Sequence, residues 1–182
     1  MRYDKKSART FALLKGLQVE FFGFFVMIFS WAVMKSMGIF ANIMFGFTGL
    51  MCVVCIMADY GMKQGDAAAS ADKLHGDNVG KKFGTQLGTI AMLPFALTTV
   101  ILAVSKISGA FDFLGLYKVL NACIYPTIQI FVPSADISDM HPAVFLLILV
   151  YLALFPISAF IGFKWGYDKV DLKDVFIYKS KK

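Results

Sequence analysis

The sequence has little charge. Only 16% of its 182 residues are Asp, Glu, Lys or Arg and 58% are hydrophobic, whereas soluble domains carry about 25% charged residues. So few charged side chains cannot cover a water-facing surface, which excludes an ordinary soluble domain. Three long stretches contain no charge at all, and each is long enough for a helix to cross a hydrocarbon core of about 30 Å: 39–58, 83–105 and 142–163.

These runs predict an all-α integral membrane protein, built as a single membrane domain over residues 1–182. A fourth charge-free run, 21–34, is short, but it reaches spanning length over 17–38 because Glu20 and Lys35 then lie within a turn of an interface. The predicted segments are spans 17–38, 39–58, 85–105 and 142–163, an inner loop 59–84, an outer loop 106–141 and an inner tail 164–182.

The basic residues predict the orientation. With four spans and the N-terminus inside, fifteen of the eighteen Lys and Arg residues lie on the inner side, and only Lys35, Lys106 and Lys118 lie outside. This bias predicts a multi-pass protein of the cell membrane with both termini in the cytoplasm. The net charge of +6 suits contact with anionic lipid head groups at the inner face and requires no nucleic-acid partner.

The outer loop contains an apolar segment that could be mistaken for a fifth span. A fifth span would place Asp112 and Lys118 in lipid, at a cost of a few kcal/mol each. Its polar residues recur at three- and four-residue steps, which is typical of an amphipathic helix. We therefore predict an outer interfacial or re-entrant amphipathic helix at about 107–125, and both placements stay open.

Four glycines recur at every fourth position: Gly76, Gly80, Gly84 and Gly88. They share one helical face only if a helix starts in the inner loop and continues into the third span. A face without side chains lets another backbone approach closely, so we predict helix packing through these residues. The alternative is a flexible loop whose glycines are in phase by accident. Packing is best supported at Gly84 and Gly88, which belong to the charge-free run.

The sequence carries no recognisable catalytic arrangement, and it predicts neither an enzyme nor a cofactor. Hydrolase, metalloprotease and paired-carboxylate motifs are missing. Cys52 and Cys55 form a C-x-x-C pair inside the second span, as in membrane thiol oxidoreductases, but thiols in apolar surroundings are poor nucleophiles and pack as small apolar residues. Asp136, Asp139 and His141 offer metal ligands, but no third or fourth ligand of fixed geometry is evident, so we predict no metal.

Three functions follow from these observations. The first is a non-catalytic accessory or structural subunit that packs as a homo-oligomer or with a larger membrane partner. The second is an oligomeric small channel or carrier, in which Asn42, Thr48, Thr98 and Thr99 line a pore or cleft. The third is a membrane thiol redox enzyme that uses Cys52 and Cys55. The absence of catalytic motifs favours the first.

Overall fold

The computed structural model describes residues 3–169, and this range is helical with no β-strand. Residues 170–182, most of the predicted inner tail, lie outside the described residues. The helices, in chain order, are α1 (Lys5–Met37), α2 (Ile39–His75), α3 (Phe83–Ser108), α4 (Leu114–Leu120), α5 (Tyr125–Phe131) and α6 (Ala143–Tyr167), with a 3-10 turn at Ile137–Asp139 before α6.

Four of these helices, α1, α2, α3 and α6, are long and apolar enough to cross a membrane, which confirms the predicted number of candidate spans. Their ends differ from the prediction. The inner loop was expected at 59–84, but α2 continues as helix to His75 and only 76–82 connect it to α3. The helix persists because its alanines are strong helix formers and because Ala68, Ala69 and Ala71 are buried against the rest of the bundle.

The helices form one bundle with two distinct ends. The Gly38 end contains the α1–α2 turn, the start of α6 and residues 109–113 after α3. The Gly76 end contains the start of α1, the α2–α3 connection and the end of α6. Arg9 lies against Phe83 and Gly16 against Ala91, so α1 runs parallel to α3. Gly61 lies against Ala159 and Gly65 against Phe163, so α2 runs parallel to α6.

The most extensive helix contact is between α2 and α6, and it depends on two glycine pairs with the same spacing. Gly61 and Gly65 of α2 face the backbone of α6, while Gly162 and Gly166 of α6 face the backbone of α2. At each of these four positions a Cβ atom would come closer than 3.0 Å to backbone atoms of the other helix. Both helices thus carry a G-x-x-x-G pattern, the arrangement that brings membrane helices into backbone contact.

The segment predicted as one helix at about 107–125 has a different structure. The third long helix continues to Ser108, a short connection follows, and α4 and α5 are separate seven-residue helices joined by 121–124. The prediction of one continuous helix is therefore wrong. Pro126 lies in the first turn of α5, where the missing N–H costs nothing.

Candidate functional site

The two short helices form a hairpin, α4–turn–α5, that enters the bundle from the Gly38 end. Its turn residues Asn121, Ala122, Cys123 and Ile124 are all buried. The amide of Asn121 donates to Thr98 at 3.0 Å, and Thr98 lies ten residues before the last residue of α3. At 1.5 Å per residue the hairpin turn lies roughly 15 Å below that end of α3. The hairpin therefore reaches the middle of the bundle.

The polar side chains of Lys118 and Asn121 face the bundle interior, and the exposed side of the hairpin is apolar. Lys118 and Asn121 are only 4% and 2% exposed, whereas Leu116 and Val119 are 54% and 44% exposed. An interfacial helix would show the opposite pattern, with its polar side in water. The hairpin therefore has an exposed apolar face, and the polar groups of Lys118 and Asn121 are satisfied inside the protein.

Lys118 joins the two arms of the hairpin. Its ammonium group donates to the carbonyl oxygens of Val132 and Ser134 at 2.6 Å and to Oε1 of Gln129 at 3.0 Å. These acceptors use all three N–H bonds of the lysine. Val132 is the residue that ends α5, so Lys118 satisfies a carbonyl at a helix C-terminus, where a positive charge is favourable. Lys118, whose charge was the reason to exclude a fifth span, thus holds the two arms of the hairpin together.

Glu20 holds the hairpin turn to α1. Its Oε1 accepts a hydrogen bond from the backbone N–H of Ala122 at 2.7 Å, a group that the turn leaves without a helical partner. The sequence placed Glu20 near an interface. In the structure, Gly16 contacts Ala91, so Glu20, one turn further along α1, is level with Phe95 in the middle of the charge-free stretch of α3. A carboxyl group at this depth requires a partner, and the hairpin provides it.

Glycines on the long helices make room for the hairpin turn. A Cβ atom at Gly23 of α1 would overlap the backbone of Cys123, and one at Gly49 of α2 would overlap the Cys123 carbonyl group. The thiol of Cys123 donates to the carbonyl oxygen of Val19 at 3.1 Å. The turn is therefore enclosed by backbone on two sides. Sequence reasoning missed this role of Gly23 and Gly49, whose only signal was their position inside apolar runs.

The chemistry of this buried cluster is that of an anchor. The second carboxylate oxygen of Glu20, Oε2, and the Tyr151 hydroxyl have no hydrogen-bond partner among the described residues. The Cys123 thiol donates its hydrogen bond to a backbone carbonyl oxygen and not to a basic side chain, so the thiol is not paired with a base. These contacts position the hairpin within the bundle.

Only two of the four glycines predicted to form one packing face lie in a helix. Gly84 and Gly88 lie in α3, where a Cβ atom would overlap Phe163 at the first position and the backbone of Phe155 and Pro156 at the second. Gly76 and Gly80 lie outside the helix, with φ of +66° and +75°, so the expectation that all four share one face is wrong. Gly76 ends α2 in the left-handed conformation, which glycine adopts at little cost.

The predicted pore residues lie in separate places. Asn42 accepts a hydrogen bond from Ser30 of α1 at 2.9 Å, and Thr48 is exposed and donates to Met44 in its own helix. Thr98 and Thr99 instead face the hairpin, through Asn121 and the Tyr117 hydroxyl. Within residues 3–169 no hydrogen bond joins the first pair to the second.

The remaining candidates have local contacts. Cys52 and Cys55 are both free thiols, and Cys55 is exposed on the outer surface of α2. His141 accepts a hydrogen bond from the N–H of Ala143 at 3.2 Å, which caps the start of α6. Asp136 caps the 3-10 turn, and its hydrogen bond from the Ser138 N–H lowers the pKa of the carboxyl group. Across the described residues no group of three or more potential ligands is arranged to hold a metal ion.

Comparison with known proteins gives no relative for this arrangement. No protein-family model, no curated protein and no solved structure matches the chain.

Proposed function

We propose that this chain is an integral protein of the cell membrane, with the Gly38 end outside and the Gly76 end in the cytoplasm. The four long apolar helices support insertion, and the distribution of Lys and Arg supports the orientation. In this arrangement the hairpin is a re-entrant element that enters from the outer face. Backbone that is not in a spanning helix is tolerated at such depth only where protein surrounds it, as the contacts of Glu20 and Lys118 provide.

We further propose that the protein acts by association, as an accessory or structural subunit that packs with itself or with a larger membrane partner. The observation that supports this most is the filled interior, because the hairpin occupies the centre of the bundle where a pore or catalytic cleft would lie. The glycine contacts of α2, α3 and α6 are used within the chain. A partner must therefore use a different surface from the predicted glycine face.

A continuous apolar ridge on α1 is the surface we assign to that partner. Its residues recur at three- and four-residue steps along one side of the helix and are between 47% and 60% exposed: Leu14, Leu17, Phe21, Phe25 and Ile28. Aromatic side chains contribute large contact areas in helix packing, and the ridge carries no charge between Phe21 and Ile28.

Photo-crosslinking in native membranes tests this proposal. A photoreactive residue at Phe25 should give a discrete crosslinked species of one partner, identified by mass spectrometry, or a dimer of the chain. The same residue at Leu97 of α3, which is 64% exposed, is the control and should react only with lipid. Equal crosslinking from both positions, or only lipid adducts from Phe25, would remove the support for a subunit that binds through α1.

A further inference from the structure

A concave basic pocket lies at the Gly76 end, between the start of α1 and the start of α3. Its volume is about 350 Å³. Among residues 3–169, its walls contain four basic side chains and no acidic one: Lys5, Arg9, Lys81 and Lys82. Buried Val79 and Phe83 form part of its wall.

Two of these basic groups, Arg9 and Lys81, are held by neighbouring side chains. The Arg9 guanidinium lies 5.8 Å from the centre of the Phe83 ring, and its Nη2 donates to Oε1 of Gln86 at 3.4 Å. The ammonium group of Lys81 is 2.5 Å from Asp168. Lys5, Arg9 and Lys82 form no ion pair with any acidic group in residues 3–169. Around this concavity, the described part of the chain therefore leaves three positive charges without an ion-pair partner.

The loop that carries Lys81 and Lys82 is held in place by the rest of the chain. Asp72 accepts a hydrogen bond from the N–H of Val79 at 3.0 Å, and Asp77 accepts one from the N–H of Tyr3 at 3.0 Å. The second oxygen of Asp72 accepts from the Tyr167 hydroxyl at 2.5 Å. The basic groups of the loop are thus attached to α1, α2 and α6 at once, so the pocket is formed before any ligand arrives.

The pocket opens into a groove that leads toward the apolar part of α3. The groove has a volume of about 450 Å³ and shares Arg9 and Gln86 with the pocket. Its other lining residues are Thr85, Thr89 and Ile90. Beyond it, α3 continues with an exposed apolar stripe that begins at Leu93 and Leu97, which are 52% and 64% exposed. A charged pocket followed by an apolar track matches a molecule with an anionic head and a hydrocarbon tail.

We infer that this pocket and groove bind one anionic phospholipid of the inner leaflet. The lipid phosphate accepts hydrogen bonds from Arg9, Lys5 and Lys82, because guanidinium and ammonium groups are the usual phosphate donors in proteins. One acyl chain follows the groove past Thr89 and Ile90. This inference rests on the proposed membrane location. The net charge alone predicts contact with anionic lipid anywhere on the inner face, whereas the pocket and the groove assign that contact to one place.

Native mass spectrometry during stepwise delipidation tests the site. The protein is reconstituted in vesicles of phosphatidylcholine and phosphatidylglycerol, and it should retain one phosphatidylglycerol preferentially. The double variant Arg9→Gln/Lys82→Gln should lose this retention by about tenfold or more, because each basic group near a lipid surface contributes appreciably to binding. The matched control Lys6→Gln/Lys73→Gln removes the same charge from exposed positions at the same end and should bind as the parent does.

Two further arms separate the possible ligands. Thr89→Trp fills the groove without changing the charge, and it should weaken lipid retention, whereas a site for phosphate alone would be unaffected. Glycerol phosphate in solution should not displace the lipid at millimolar concentration. Equal loss in the control variant, no loss in Thr89→Trp, or displacement by glycerol phosphate would each overturn the inference. All variants should remain membrane-integrated and keep the crosslink from Phe25, so that failure of this site is distinguishable from failure of the proposed function.

Discussion

Replacement of Gly65 by alanine should weaken the contact between α2 and α6. The added Cβ atom would lie 2.8 Å from the backbone nitrogen of Tyr167 and still closer to the carbonyl oxygen of Phe163. Neither neighbour is the end of a flexible side chain, so the two helices themselves must move apart. The perturbation is one methyl group, which changes neither charge nor polarity.

The size of the effect follows from this geometry. Ordinary contact begins at 3.4 Å, so relief of the contact with the Tyr167 nitrogen alone requires a shift of about 0.6 Å, and the closer Phe163 oxygen requires a larger one. A gap of about 0.5–1 Å already forfeits a quarter to a half of a dispersion contact. Overpacking of this kind costs about 1–3 kcal/mol. Alanine returns up to about 1 kcal/mol through helix propensity. We therefore expect a net decrease of about 1–2 kcal/mol in the free energy of unfolding.

The same substitution at Gly115 is the matched control. This glycine is also helical, in α4, but an added Cβ atom would meet only Ala135, at an ordinary 3.7 Å. Gly115→Ala should therefore be neutral or stabilising by up to about 1 kcal/mol. Unfolding would be followed for both variants in one mild detergent by titration with a denaturing detergent. Equal stability of the two variants would refute the reasoning that backbone contact at Gly65 holds α2 to α6.

Three other outcomes are expected. Lys118→Met leaves one buried and two part-buried acceptors without a donor and should lower the free energy of unfolding by about 2–4 kcal/mol, measured in the same detergent titration. An unchanged value would mean that the hairpin closes without the lysine. Glu20→Gln keeps an oxygen that can accept the hydrogen bond from the N–H of Ala122, so this variant should preserve the fold. Glu20→Leu removes that acceptor and should increase proteolysis of the hairpin. Equal protection of both variants from proteolysis would contradict an anchoring role for Glu20. In intact cells, a membrane-impermeant thiol reagent should label a cysteine introduced at Ser138 and not one at Leu74, and the reverse pattern would invert the proposed orientation.

The four long helices could be predicted because their signal extends over about 20 residues of composition. The length of α2 could not be predicted from polarity, since Asp59, Lys63 and Asp66 make this stretch resemble a loop. Its helical continuation depends on contact with α6 through two glycine pairs. That contact had a visible signal, because the spacing of Gly61 and Gly65 recurs at Gly162 and Gly166, but pairing distant glycines required the structure.

The hairpin shows the limit of periodicity as a guide. The polar stripe that includes Lys118 and Asn121 was recognised, but periodicity does not say whether a stripe faces water or the protein interior. The decision depends on partners more than ten residues away, namely Val132 for the lysine and Thr98 for the asparagine. Glu20 presents the same difficulty, because its partner Ala122 is separated from it by 102 residues.

The enclosed hairpin also determines the order in which the chain can assemble. Its turn contacts α1, α2 and α3 through Glu20, Gly49 and Thr98, and these helices are all synthesised before it. The loop that follows it is tied to α3 through Lys106, which donates to the carbonyl oxygens of Ile137 and Ser138. The hydrogen-bond partners described above for the hairpin all lie in α1, in α3 or in the hairpin itself, and none of them belongs to α6, which is synthesised last. The hairpin can therefore close before α6 joins the bundle. A chain truncated before α6 should still protect this segment from quality-control proteases.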